Sequence, residues 1–151
     1  VLAQTNAPTP QSQATPEQMR TSLHQEVTFK ASPQRIYEIL LSSKEFSAFT
    51  GLPAEISSEA GGTSSMFGRR ILGRNIELIP NQRIVQAWRE ANWDPGVYSL
   101  VKFEFKQQGS KTTVVLDHSG FGEGHFGHLN PGWKQRYWDP LEKYLTASAD
   151  H

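Results

Sequence analysis

GGTSSMFGRRILGRNIELIPNQRIVQAWREANWDPGVYS, residues 61–99, is the stretch whose reading decides the fold. Two short apolar-polar runs, Ile71–Ile79 and Ile84–Glu90, meet at Pro80-Asn81, and the Asp94-Pro95-Gly96 turn leads into a third. Proline presets one backbone torsion of a turn, and glycine and asparagine tolerate the left-handed torsions that tight turns require. Short, turn-separated runs of this kind predict an antiparallel meander. Working outward, further strands are expected at Ala54–Glu59, Thr63–Phe67, Tyr98–Lys106 and Thr112–Ser119, with turns at Gly61-Gly62 and Gln108-Gly109-Ser110. Val101, Phe103 and Phe105 fall on one face of their strand, and Thr112, Val114, Leu116 and His118 are in phase on the next. A sheet with one apolar face needs a cover.

That cover is predicted at the carboxy terminus. Asn130-Pro131 is expected to open a helix on which Trp133, Tyr137, Leu141 and Tyr144 or Leu145 recur at helical spacing. Pro140 should bend it, or split it with Asp139 as a second cap. Before the meander, Leu23–Ala31 alternates as a strand. Ser32-Pro33 caps a helix running to about Leu41, and Ser42-Ser43-Lys44-Glu45 is a capping box for a second, which carries Phe46 and Phe49 and ends at Gly51-Leu52-Pro53. The order is strand, two short helices, a long meander and a closing amphipathic helix.

The chain has 151 residues, enough for one domain with a sizeable core. Lys plus Arg and Asp plus Glu each number 15, so the net charge is zero, and a phosphate-tracking nucleic-acid surface is not expected. Arg69, Arg70, Arg74 and Arg83 form the one basic concentration, read first as solvated residues on hairpin faces. The absence of cysteine excludes disulfides, cysteine-based zinc sites and thiol nucleophiles. No apolar run approaches the ~20 residues needed to span a bilayer as a helix. Residues 1–18, VLAQTNAPTPQSQATPEQ, are poor in core-forming side chains and are expected to be a disordered low-complexity tail, with the domain occupying 19–151. A short helix is expected to begin at Thr15-Pro16-Glu17-Gln18. Val1-Leu2-Ala3 before Gln4 has the small or modest residues that a signal peptidase reads, so export to the periplasm or outside the cell is favoured over a cytoplasmic location; an ordinary tail is the alternative.

The ordered series SPQRIYEIL, GG, ELIPNQRIVQAWR, W-DPG, DHSGF and PGWKQRYWDPLEKYL resembles the START-like (SRPBCC) superfamily. Within it, the sequence is most similar to the domain family named after the activator of the heat-shock-ninety chaperone's ATPase, over about Leu23 to Thr146. The resemblance implies an α+β helix-grip fold, a curved antiparallel sheet wrapped around a long carboxy-terminal helix, with an apolar cavity between them. It implies a class that binds lipids, hormones or other hydrophobic molecules, and it hands over no universal catalytic residue or cofactor. In the eukaryotic co-chaperone the domain follows a separate chaperone-engaging one. Here a low-complexity segment stands in that place, and export would separate the chain from a cytosolic chaperone, so chaperone activation is not the expected role.

Ten residues are candidates to line the cavity: Phe49, Phe67, Trp88, Trp93, Tyr98, Phe103, His118, Phe121, Trp133 and Tyr137. Aromatic walls with a few polar groups typify small-molecule sites, although core packing uses the same residues. His118 is the sharpest of them, because strand parity turns its imidazole inward, where it can donate, accept or shuttle a proton. Asp117 must then point the other way, so the two form no dyad. Glu77 and Arg89, on adjacent strands, are candidates for a buried pair or a polar cavity floor. His125 and His128 lie in a Gly-rich loop with no common face imposed, so no metal site is expected; Phe121 and Phe126 on that loop are read as a lid. No triad motif, phosphate loop or dinucleotide fingerprint is present. The sequence therefore points first to a non-catalytic carrier or sensor of a small hydrophobic molecule. A cyclase- or isomerase-like enzyme using His118 as acid–base and a protein-interaction module related to the co-chaperone are the alternatives. An interior packed solid around Trp133 and Tyr137 would count against the carrier.

Overall fold

Alternation and capping build the elements of the computed structural model, which describes residue 16 and residues 18–149. Seven strands form one antiparallel sheet in the order β1-β7-β6-β5-β4-β3-β2. They are β1 Ser22–Phe29, β2 Glu55–Ile56, β3 Thr63–Met66, β4 Ile71–Ile79, β5 Arg83–Glu90, β6 Ser99–Gln108 and β7 Lys111–Ser119. From β2 to β7 each strand pairs with its successor, as short connections dictate. The expected Ala54–Glu59 strand is reduced to two residues, with the Ile56 N–H donating to Ser43 Oγ on the helix at Ser43–Thr50 and the Ser57 N–H donating to Ser64 Oγ on β3.

Helices α1 (Pro33–Leu40) and α2 (Ser43–Thr50) lead from edge strand β1 to the opposite edge, β2. Ser32 Oγ accepts from the Arg35 N–H and Ser42 Oγ from the Glu45 N–H, each at 3.1 Å, satisfying donors that the first helical turn leaves open. Only half of the expected capping box forms, since the Glu45 carboxylate accepts from Arg35 and from the Tyr144 hydroxyl instead. Gly51, at φ 76°, closes α2 in a left-handed conformation that a side chain would strain.

The closing helix starts earlier than Asn130. α3 runs Phe126–Trp133, continues through a π-helical turn at Lys134–Trp138, and passes into α4, Asp139–Ala149. Pro131 lies inside α3. Pro140 neither splits the helix nor leaves Asp139 as a second cap: Asp139 has helical torsions and its N–H reaches back five residues to the Lys134 carbonyl. A widened turn just before a proline relieves the clash between its ring and the preceding turn. Thr15 and Glu17 of the expected first helix, with most of the expected tail, lie outside the described residues; Pro16, Gln18 and Met19 are in turns.

Between the sheet and the closing helix lies an aromatic core. Tyr137 packs with Trp133, Phe67 and Phe46 at ring-centroid distances of 4.3, 5.4 and 5.6 Å, and Phe46 meets Phe49 at 4.8 Å. Gln25 ties edge strand β1 to this helix, accepting from Trp138 Nε1 at 2.7 Å and donating to the Asn130 carbonyl at 2.8 Å.

Candidate functional site

Parity places the inward side chains of β4 to β7 against the closing helix, and His118 sits among them with no exposed surface. Its two ring nitrogens are both engaged. Trp133 Nε1 can only donate, and it does so to His118 Nδ1 at 3.1 Å, which makes Nδ1 the unprotonated nitrogen. The Ser99 hydroxyl donates its one proton to the Trp88 carbonyl at 2.8 Å, so at 2.8 Å it accepts from His118 Nε2–H. The relay Trp133 to His118 to Ser99 to Trp88 is complete with a neutral imidazole and has no place for a second ring proton. Trp88, Phe121 and Trp133 pack around the ring at centroid distances of 4.8–5.6 Å. Burial lowers the His118 pKa to about 3. In this geometry the His118 imidazole is neutral, buried and hydrogen-bonded at both ring nitrogens.

The other candidates separate. Phe67, Trp88, Trp133 and Tyr137 border a narrow space under the middle of the closing helix, a slot of about 30 Å³ that opens beside Glu90, His128 and Arg136, while a cleft of about 520 Å³ opens at its far end, where Leu145 of α4 meets Phe29 and Lys111. The slot has room for about one water, against roughly 300–1,000 Å³ for a small-molecule pocket. Phe49, Phe103, Phe121 and Trp93 are buried in the packing itself. Two donors remain without a hydrogen-bond partner in this region, Trp88 Nε1 and Trp93 Nε1. The Tyr137 hydroxyl makes a weak contact to Met66 Sδ at 3.8 Å and faces the Trp88 indole; burial pushes its pKa up, against a smaller lowering by Trp88, so the phenol stays protonated.

Tyr98 is a correction. It is 51% exposed and points away from the helix, as its parity with Leu100 rather than Val101 already implied. Glu77 and Arg89 do not pair: Glu77 accepts from Arg83 at the surface, while Arg89 donates to the carbonyls of Trp93, Asp94 and Val97. The expected lid is seated rather than free. Phe121 and Phe126 are buried, and Gly120 and Gly124 donate to the carbonyls of Thr21 and Gln18. His128 lies on α3 rather than in a loop and pairs with Glu90 at 2.8 Å, whereas His125 packs on Trp93. Among the described residues no three His, Asp or Glu side chains come together as a metal site.

Sequence reasoning missed Asn75, Gln86 and Ser99. Asn75 is buried at the β-bulge of β4, donates to the Ser57 and Glu59 carbonyls, and accepts from Gln86 Nε2 at 3.1 Å, which clamps the β2–β3 loop. An asparagine inside a strand, against its propensity, was the available signal.

A larger concavity lies on the opposite face of the sheet. A groove of about 890 Å³ runs across the β2–β5 end, over Leu72 and Ala87, with Arg69, Arg74 and Tyr98 on its walls.

Sheet order, the helix held in its grip and the apolar interface between them define a START-like, helix-grip module with a filled interior. Comparison with known proteins narrows the class. The family described as "Activator of Hsp90 ATPase homolog 1-like protein" matches over residues 30–146, and the chain belongs to it. An "Activator of 90 kDa heat shock protein ATPase homolog" from Dictyostelium discoideum is 32% identical over 122 residues, covering 80% of this chain and 32% of the relative. The human homolog 1 of that name is 24% identical, covering 81% of this chain and 36% of the relative. The chain therefore spans about a third of the length of these curated relatives. Among solved structures, an HSP90 activator from Plasmodium falciparum superposes with a TM-score of 0.79 at 23% identity, covering 83% of this chain and 96% of that one. An Aha1 dimer from Colwellia psychrerythraea gives 0.68 at 19% identity, covering 78% and 91%.

Proposed function

We propose that this chain is a protein-interaction module of the co-chaperone type, working through its surface rather than by enclosing a small molecule. The observation that carries this reading is the packed aromatic centre: about 30 Å³ beside Trp133 and Tyr137 against about 890 Å³ on the outer face. The names of its relatives supply the partner class, a 90-kDa heat-shock chaperone ATPase. This reverses the sequence-based preference, which rested on the apolar sheet face, the aromatic closing helix and the lack of a catalytic set. The test is titration of the chain into a purified chaperone of that class, with calorimetry for binding and phosphate release for turnover. Binding with an altered ATPase rate is expected. No heat of binding and an unchanged rate would overturn the chaperone as partner.

One observation favours the small hydrophobic ligand as a second reading. Trp88 borders the slot and buries an indole N–H that makes no hydrogen bond of normal geometry, and a ligand carbonyl or hydroxyl entering the slot would accept from it. The slot must widen about tenfold to take such a molecule. Native against denaturing mass spectrometry of freshly purified protein decides it: a defined extra mass that leaves on denaturation supports the carrier, and its absence with no shift on adding fatty acids or sterols opposes it.

A further inference from the structure

The outward face of the sheet is divided by charge. Across β1, β7, β6, β5 and β4 the outward residues neutralise one another in a continuous ladder. Glu26 and Asp117 flank His24, Lys102 bridges Asp117 and Glu104, and Arg83 bridges Glu104 and Glu77. The β2–β5 end of the same face is different. Cross-strand register sets Thr63, Arg74, Ala87 and Leu100 in one row and Glu55, Ser65, Leu72 and Arg89 in the next. Arg69 and Arg74 are exposed and make no hydrogen bond or ion pair among the described residues. Arg89, held by three backbone carbonyls, lies with its guanidinium 5.8 Å from the Tyr98 ring centre. Glu55 is the one carboxylate on the groove's walls.

The turn that carries Arg69 is strained. Phe67, Gly68 and Arg69 have φ of 55°, 65° and 72°, three successive left-handed residues of which two bear side chains. Phe67 is anchored in the core against Tyr137, and the turn leaves Arg69 at the groove wall.

We propose that this groove docks an extended acidic segment of a partner protein, its carboxylates on Arg69 and Arg74 and an apolar side chain on Leu72 and Ala87. The proposal rests on the interaction-module reading and names the surface and the partner chemistry. Charge complementarity identifies the occupant: unpaired guanidiniums beside an apolar floor select carboxylates flanking an apolar residue. The chain's own first fifteen residues contain no Asp or Glu and do not meet that requirement. Nucleic acid is disfavoured by the zero net charge and the apolar floor.

The experiment is selection of displayed random peptides of about twelve residues on the full chain, followed by fluorescence anisotropy with the selected peptides. Enrichment of Asp and Glu around an apolar residue is expected. Binding should weaken at least about tenfold in Arg69→Glu/Arg74→Glu, as two attractive pairs become repulsive, and should also weaken with added salt. The charge-matched control Lys106→Glu/Lys143→Glu should bind as the wild type, with circular dichroism confirming that both variants fold. Selection of non-acidic peptides, or of none, overturns the proposal, as does binding indifferent to the Arg69/Arg74 reversal. A single-stranded oligonucleotide or anionic vesicles held more tightly through the same arginines would overturn the occupant. Chaperone binding that survives the reversal refutes the groove and leaves the module reading standing, whereas failure of the wild type to bind any protein or peptide refutes both.

Discussion

Acidification should destabilise the protein through His118, and the size of the effect follows from its surroundings. In the unfolded chain the imidazole titrates near its ordinary value of 6.5; in the folded one burial lowers that to about 3. Between those values the unfolded state holds a proton that the native state refuses, so stability falls as pH drops. The contribution is fully present above the unfolded value and is eroded progressively down to the folded one. At about pH 5 the difference is roughly 1.5 pKa units, or about 2 kcal/mol relative to about pH 7.5. For a domain of this size that lowers Tm by about 4–8 °C. His24 acts in the opposite sense, since its hydrogen bonds to the Asp117 and Glu26 carboxylates raise its pKa and favour the folded state at low pH; it is half exposed. The measurement is therefore a difference: urea unfolding of wild type and His118→Gln at both pH values. The variant should be less stable at neutral pH, by about 1–3 kcal/mol for the disturbed relay, yet its loss between the two pH values should be about 2 kcal/mol smaller than that of the wild type. Nitrogen chemical shifts should show His118 with Nε2 protonated and Nδ1 bare. Parallel pH dependences in the two proteins, or a His118 ring titrating near 6.5 in the folded state, would refute the reasoning.

Gly62→Ala should destabilise by more than about 2 kcal/mol, since the new Cβ would lie 1.9 Å from Ser57 Oγ and 2.4 Å from its Cβ; thermal melts check this. Asn75→Ala removes the clamp on residues 57–62 and strands Gln86, so a loss of about 2–4 kcal/mol and faster amide exchange in that loop are expected. Phe46→Ala cuts into the cluster with Phe49, Phe67 and Tyr137 and should cost about 3–5 kcal/mol by urea unfolding; the hole it leaves should bind a small aromatic such as indole, detectable by calorimetry. Arg35 and Tyr144 hold the Glu45 carboxylate below its usual range, so its contribution is present above the unfolded value and lost as pH falls through the lower folded one; Glu45→Gln should flatten the acid limb of the stability curve.

Much of this molecule is legible in local pattern. Alternation in β6 and β7 turns Val101, Phe103, Val114, Leu116 and His118 inward, and spacing puts Trp133, Tyr137 and Leu141 on the helix that covers them. The caps at Ser32 and Ser42, the left-handed Gly51 and the strand Ile71–Ile79 follow from residues that touch their chain neighbours. The ordered motifs were sufficient for the family. Tyr98, taken as a pocket wall for its aromatic character, shares the outward parity of Leu100.

Tertiary structure alone decided whether the grip encloses a cavity or a solid core. The space under the closing helix is what remains after Phe46, Phe67, Trp88, Phe103 and Tyr137 arrive from five separate segments, and no local period encodes that remainder. The same holds for His118. Its inward direction is a property of one strand, but its chemistry is set by Ser99, 19 residues before it, and Trp133, 15 after, which consume both ring nitrogens. Likewise the arginines of β3–β5 became a groove only through cross-strand register, which aligned Arg74 with Ala87 and Leu72 with Arg89. Periodicity acts between chain neighbours and tells which way a side chain faces; volume, hydrogen-bond saturation and charge pairing are sums over distant segments, and only the folded chain performs them.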